Sequence, residues 1–315
     1  MSKTKKVISL VTGGAGLIGS NLIKKLLTED QYVICLDDLS TGKKENLSEF
    51  ENNKNFKFEN HSVIKKYENK VDFIWHLAST ASPYIYQKYP IQTSMVNFLG
   101  SYNMLNLAKE NNARILLAST SEIYGECKGK ISEEDNLISI NSNSKRACYS
   151  NSKLLAETLF FDFNRIYKTD IRIARIFNSY GFNKNIYDGR VVSNFIVQAL
   201  RDESLTIYGD GKQTRSFCYV SDTVDALILL MRSEYKQVIN IGNQRSVSIN
   251  QLAKLIISKI NPRLTFSYLP KKEDEPINRC PSLKLSNKIL GWEPKVNLDE
   301  GLDNTIEFYR NFLNN

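Results

Sequence analysis

Tyr149 and Lys153 stand four residues apart in the run Tyr149-Ser150-Asn151-Ser152-Lys153, one turn along a single helix face. A phenol ionises near pH 10, too high for a base at neutral pH, and a cation held beside it is what would favour the phenolate. The pair therefore suits a base that takes a proton from a hydroxyl while the carbon-bound hydride leaves for an oxidised nicotinamide, and Lys153 and the nicotinamide both supply positive charge. The spacing alone is common, and a chance surface pair is the plain alternative. Its context argues otherwise: about 30 residues earlier lies Ala118-Ser119-Thr120-Ser121-Glu122-Ile123-Tyr124-Gly125, which reads as a strand's carboxyl end, the edge where α/β sheets gather catalytic groups.

A second constellation opens the chain. An apolar strand runs directly into Gly13-x-x-Gly16-x-x-Gly19 and a helix bearing Leu17, Ile18, Leu22, Ile23 and Leu26. One glycine makes the tight turn, another lets backbone approach a pyrophosphate, and the third lets helix pack on strand, with the helix N-terminus facing the phosphates. The run Tyr32-Val33-Ile34-Cys35-Leu36-Asp37 ends in an acid about 20 residues on, as a ribose-binding carboxylate should. Asp37 at that strand end would hold the adenosine ribose hydroxyls and repel a 2′-phosphate, so NAD is expected over NADP.

The elements that must position these groups alternate. Further apolar strands fall near Phe56–Phe58, Phe73–Leu77, Arg114–Ala118, Ile171–Ile176 and Val238–Gly242, with helical patterns over Ile91–Lys109 and Tyr149–Tyr167. This predicts an α/β fold, a Rossmann-type doubly wound parallel sheet with a smaller interleaved C-terminal substrate domain. The expected boundaries are 1–178 plus about 212–243 for the NAD-binding part, and about 179–211 plus 244–315 for the nucleotide-sugar part. The helix with Leu154, Leu155, Leu159, Phe160, Phe161 and Phe163 is apolar on more than one face, and a homodimer through the helices near 91–109 and 149–167 is expected.

At 315 residues and 42% hydrophobic content the chain can bury a large core. Its net charge of +8 comes without a basic helix or an aromatic RNA-binding signature, so no nucleic-acid partner is expected, and the surplus suits a solvated surface that favours anionic ligands. The five cysteines, Cys35, Cys127, Cys148, Cys218 and Cys280, show no CxxC spacing, which fits a reducing cytoplasm. No signal-peptide core or membrane span is read, and no metal site, since Glu133-Glu134-Asp135 has no His or Cys beside it and reads as a solvated loop. His61 and His76 are the only histidines, and His76 reads as structural.

Taken together, these segments resemble the extended short-chain dehydrogenase/reductase family over nearly the whole chain, and within it the branch that decarboxylates UDP-glucuronate. The resemblance is carried by His76-Leu77-Ala78-Ser79-Thr80-Ala81-Ser82-Pro83, Asp188-Gly189-Arg190-Val191-Val192-Ser193-Asn194-Phe195, Tyr208-Gly209-Asp210-Gly211-Lys212-Gln213-Thr214-Arg215-Ser216-Phe217, and Thr120-Ser121-Glu122. Sugar 4,6-dehydratases of the family typically carry Thr-Asp-Glu there, and Ser121 replaces the acid that expels water. The resemblance implies a catalytic set of Thr120, Ser121, Glu122, Tyr149, Lys153 and Arg215. It implies an NAD site formed by Gly13, Gly16, Leu17, Ile18, Gly19, Asp37, Asp38, Thr41, Gly42, Leu77, Ala78, Asn97, Ala118, Tyr149 and Lys153. For a UDP-sugar it implies Ser82, Asn178, Arg190, Tyr208, Gln213 and Arg215, with Arg215 either binding an anion or assisting proton transfer. Met95 stands where the family tends to carry a Lys, and Ser62 follows His61 where it carries an Asp. A 4-epimerase of nucleotide hexoses, using the same oxidation, is the alternative activity, with a 4,6-dehydratase behind it.

Overall fold

The computed structural model describes residues 6–126, 129–137, 140–183, 185–186, 188–271 and 277–314. Cys127 therefore lies outside the described residues. The first half alternates as β1 (Ile8–Thr12), α1 (Leu17–Thr28), β2 (Tyr32–Asp37), β3 (Phe56–Asn60), β4 (Phe73–His76), α2 (Pro83–Lys88), α3 (Pro90–Asn111), β5 (Arg114–Thr120), α4 (Ala147–Tyr167) and β6 (Ile171–Ile176). There follow β7 (Ser179–Tyr180), α5 (Val191–Leu200), β8 (Leu205–Tyr208), β9 (Thr214–Ser216), β10 (Cys218–Tyr219), α6 (Val220–Arg232) and β11 (Val238–Ile241). The chain closes with β12 (Ser246–Ser248), α7 (Ile249–Ile260), β13 (Phe266–Leu269), β14 (Asn278–Arg279), α8 (Lys284–Leu290) and α9 (Leu298–Asn314).

Seven strands make one wholly parallel sheet in the order β11-β6-β5-β4-β1-β2-β3. Neighbouring residues of its strands serve opposite faces, as a period of two requires when both faces are covered. Val11, Cys35 and Leu116 pack with α1 and α6, whereas Leu10, Ile34, Ile115 and Leu117 pack with α3 and α4. The expected doubly wound architecture is observed. β5 runs two residues further than the apolar run suggested and ends on Thr120, and α4 begins at Ala147 rather than Tyr149. Pro83 and Pro90 open α2 and α3, positions where a missing N–H costs nothing.

A third core gathers Phe195, Ile196, Ile207, Phe217, Leu252, Ile256, Leu302 and Tyr309 around α5, α7 and α9. The small sheet β12-β9-β14 edges this lobe, with β9 paired antiparallel to β12 and parallel to β14. The order of the main sheet reverses between β1 and β4, which leaves a crevice at the carboxyl ends of the strands. Among the described residues no helix is long and apolar enough to cross a membrane, and no group of His, Cys, Asp and Glu could hold a metal ion.

Candidate active site

A cleft of about 740 Å³ fills that crevice and continues under the third core. Every residue expected at the site lines it except Asn97.

At one end the glycine turn meets α1. Gly13 has φ +69°, and a Cβ there would lie 2.8 Å from the backbone of Ala78; at Gly19 a Cβ would meet the Gly13 carbonyl at 2.3 Å. Neither obstacle is a movable side chain, so both positions need glycine. At Gly16 an added Cβ would find only the Gly13 carbonyl, at 3.3 Å. Gly16 also caps α1 with no side-chain hydrogen bond, so the first N–H groups of that helix face the cleft. Asp37 ends β2 with its carboxylate accepting the N–H groups of Ala15 and Leu39 at 2.9 and 2.8 Å. Burial raises the Asp37 carboxyl above its usual range, against the pull of those two hydrogen bonds. Asp38 feels burial too, but bonds from Ser40 and Ser62 outweigh it and hold that carboxyl below its usual range. Thr41, Gly42, Leu77, Ala78 and His61 complete the wall. This tight turn, an uncapped helix start and a buried carboxylate at the next strand end fit a dinucleotide.

Midway, β5 delivers Thr120, and the short 3₁₀ turn after it delivers Ser121 and Glu122. Thr120 Oγ1 accepts the Glu122 N–H at 3.1 Å. Opposite, α4 presents Tyr149 and Lys153, both deeply buried. Burial, then the charge of Glu122, pushes the Tyr149 phenol up to about 12, while Thr120, Arg190 and Arg146 pull it back. Burial pulls the Lys153 ammonium down to about 7, against the charge of Glu157. Lys153 Nζ donates to the Ala118 carbonyl at 2.8 Å. Behind it, Glu157 accepts Ser119 at 2.5 Å and pairs with Arg175 at 2.8 Å, and Arg175 donates to Tyr124 at 2.9 Å. Arg146 pairs with Glu122 at 2.5 Å.

The far end carries the cations. Arg190 caps α5, Arg215 lies on β9, and Tyr208 and Gln213 stand between, with Gln213 donating to the Tyr208 carbonyl at 2.8 Å. Asn178 donates to the Ser216 carbonyl at 3.1 Å. Ser82 Oγ is buried with no hydrogen-bond partner among the described residues. The register of β9 and β14 sets Arg279 directly beside Arg215, and both line the cleft.

Two expectations are corrected. Asn97 is one layer back: its amide donates to Ser152 at 2.9 Å and accepts Ser79 at 2.7 Å, so it braces the wall rather than facing the cleft. Met95, where the family tends to carry a Lys, is 41% exposed and does not line the cleft. Glu133 is not solvated: it is partly buried and accepts the Asn240 N–H at 2.7 Å. His76 is structural as expected, held between Thr12 and Ser101, with burial lowering its ring to about 3. Sequence reasoning missed Arg279, Arg146 and His61 as cleft residues. His61 follows β3 directly, so its position at a strand's carboxyl end was a usable signal.

A model of the NAD dependent epimerase/dehydratase family matches residues 9–242. UDP-glucuronic acid decarboxylase 3 of Arabidopsis thaliana is 46% identical over 97% of this chain and 90% of its own length. UDP-glucuronic acid decarboxylase 1 of Danio rerio is 44% identical over 95% of this chain and 72% of its own. Among solved structures, UDP-glucuronic acid 4-epimerase from Bacillus cereus in complex with UDP-glucuronic acid and NAD superposes with a TM-score of 0.87, at 26% identity, over 97% of this chain and 99% of that one.

Proposed function

The chain belongs to the NAD dependent epimerase/dehydratase family, and on that premise we propose that it converts UDP-glucuronate to UDP-xylose and carbon dioxide. The likeness to named decarboxylases over almost the full chain carries this reading, and the cleft that joins Thr120, Ser121, Glu122, Tyr149 and Lys153 supports it.

NAD would lie along Gly13, Gly16, Gly19 and Asp37, and when bound it supplies a hydride acceptor for the sugar's C4 that later gives the hydride back. Tyr149 takes the proton from the C4 hydroxyl, with Lys153 a turn away and Thr120 beside the phenol, lowering the cost of its ionised form. The resulting ketone is β to the C6 carboxylate. The C5–C6 bond then breaks with its electron pair moving toward O4, carbon dioxide leaves, and Thr120 and Tyr149 donate hydrogen bonds to the enolate oxygen. Glu122, braced by Arg146, orients the ring where a proton replaces carbon dioxide at C5. Ser121 in place of an acid leaves loss of water without its usual donor. Arg190, Arg215 and Arg279 face the diphosphate and the carboxylate, for which guanidinium forks are suited. Tyr208 offers a ring for uracil. A guanidinium is a poor proton donor, so Arg215 is read as a binding group.

A cytoplasmic location is part of the proposal, and the free thiols of Cys35, Cys148, Cys218 and Cys280 support it. A homodimer through α3 and α4 is part of the proposal, supported by Ile91, Met95, Phe98 and Tyr102, a stripe at helical spacing that is 40–74% exposed, and by the exposed Leu155 and Ile166 of α4.

The test is to incubate the protein with NAD and UDP-glucuronate and follow carbon dioxide and UDP-pentose by mass spectrometry. Release of both in equal amounts is expected. Interconversion of UDP-glucuronate and UDP-galacturonate without carbon dioxide would replace the decarboxylase with an epimerase.

A further inference from the structure

Tyr86 lies on α2, fully buried, with its ring in an offset stack on that of Tyr149: the centroids are 5.1 Å apart and the planes within 3° of parallel. It does not line the cleft, although Ile85 and Gln87 on either side of it do. Its hydroxyl is buried without a hydrogen-bond partner among the described residues, so packing fixes this ring and no polar tether does. One further contact ties it to α4, where Cys148 Sγ lies 3.6 Å from the Tyr86 carbonyl, and within α2 the Tyr86 N–H bonds back to the Ser82 carbonyl at 2.9 Å, closing the single turn that carries the ring. Part of one face of Tyr149 is thereby covered from outside the site. A tyrosine ring turns about only two side-chain torsions, and a flat partner in contact with its face suppresses both the tilt and the flip.

We infer that Tyr86 is a positioning residue for Tyr149: its ring clamps the Tyr149 ring in the plane that holds the hydroxyl next to Thr120, and it keeps water off the covered face. The inference rests on the reading of Tyr149 as the group that takes the sugar's proton, and it assigns a function to a residue outside the cleft. Proton transfer demands a hydroxyl within hydrogen-bond reach of one oxygen, and a small misplacement of the base lowers the chemical step more than binding. The clamp works through the ring and not through the Tyr86 hydroxyl, and this makes it separable from a direct polar role.

The test compares Tyr86→Phe, which keeps the stack, with Tyr86→Leu, which fills the space without a ring; Tyr86→Met repeats the second arm should the leucine variant not fold. Ring order of Tyr149 is measured by NMR of carbon-13-labelled tyrosine, with the Tyr149 signal identified by its loss in Tyr149→Phe, and needs no substrate. In turnover of UDP-glucuronate, the leucine variant is expected to lose about tenfold or more in kcat with KM within about twofold, and to show a mobile Tyr149 ring. The phenylalanine variant is expected to match the unmodified protein in both. An unchanged Tyr149 ring in the leucine variant, an unchanged kcat there, or a phenylalanine variant as impaired as the leucine one overturns the inference. If the unmodified protein releases no carbon dioxide from UDP-glucuronate, it is the substrate reading that fails, and the ring measurement still decides the clamp.

Discussion

Burial moves both acid–base groups toward their neutral forms, Tyr149 up to about 12 and Lys153 down to about 7. At neutral pH the phenol is therefore a proton carrier whose ionised form needs charge brought by its ligands, and its hydroxyl, not its ring, is what the chemistry uses. Tyr149→Phe should keep affinity for NAD and UDP-glucuronate within a few-fold by calorimetry, yet lose turnover by about 10² or more, the scale of a removed general base. Normal turnover in that variant would mean the proton takes another path. The Tyr149/Lys153 pair was legible in the sequence because a helix makes a four-residue spacing into a neighbour contact. Arg279 was not, because it sits on the two-residue strand β14, and only the non-local pairing with β9 puts it beside Arg215. Asn97 was misplaced for a related reason: a polar residue one layer behind a cleft and one facing it have the same pattern along a helix.

Three elements hold the site in register, and a buried polar network joins them. α4 carries Lys153 and Glu157 one turn apart; Lys153 reaches the Ala118 carbonyl and Glu157 reaches Ser119, both on β5, and Arg175 of β6 closes on Glu157. Arg175 also lies over the Tyr124 ring, 4.8 Å from its centroid. The strand end with Thr120 and the helix with Tyr149 are thus tied by charge as well as by packing. Arg175→Met leaves the Glu157 carboxylate buried and unpaired, and should cost about 3–5 kcal/mol of stability by urea unfolding. Combined with Glu157→Leu the loss should be smaller than the sum of the single losses, since the orphaned charge is gone. Additive losses would show that the pair does not act as a unit. The alternation of strands and helices that frames this network was readable from apolar runs, whereas the Glu157–Arg175 pair was not: nothing local marks a charged residue on α4 as facing the sheet rather than water.

For the whole molecule, the surface bears on assembly more than on chemistry. The apolar stripe Ile91, Met95, Phe98 and Tyr102 follows the i, i+4, i+7, i+11 spacing of one helix face, and it is the outward face of a helix whose other side is already buried against α4 and the sheet. Single exposed apolar residues need no explanation, but a stripe along one helix face, with Leu155 and Ile166 also exposed on α4, is the kind of patch that a second copy covers, and a two-fold axis lets one surface serve both partners. Met95 is part of this stripe and does not line the cleft. The sequence showed the excess of apolar faces on these helices; only the packed structure shows which of them remain uncovered. Phe98→Glu puts a carboxylate at the centre of the stripe on each copy, where two like charges would face each other across the axis. Sedimentation at tens of micromolar should give a dimer for the unmodified protein and a monomer for Phe98→Glu, with the far-ultraviolet circular dichroism unchanged, because that side chain is already in water in the single chain. A monomer in both cases would remove the stripe as an interface, and a dimer in both would place the interface elsewhere.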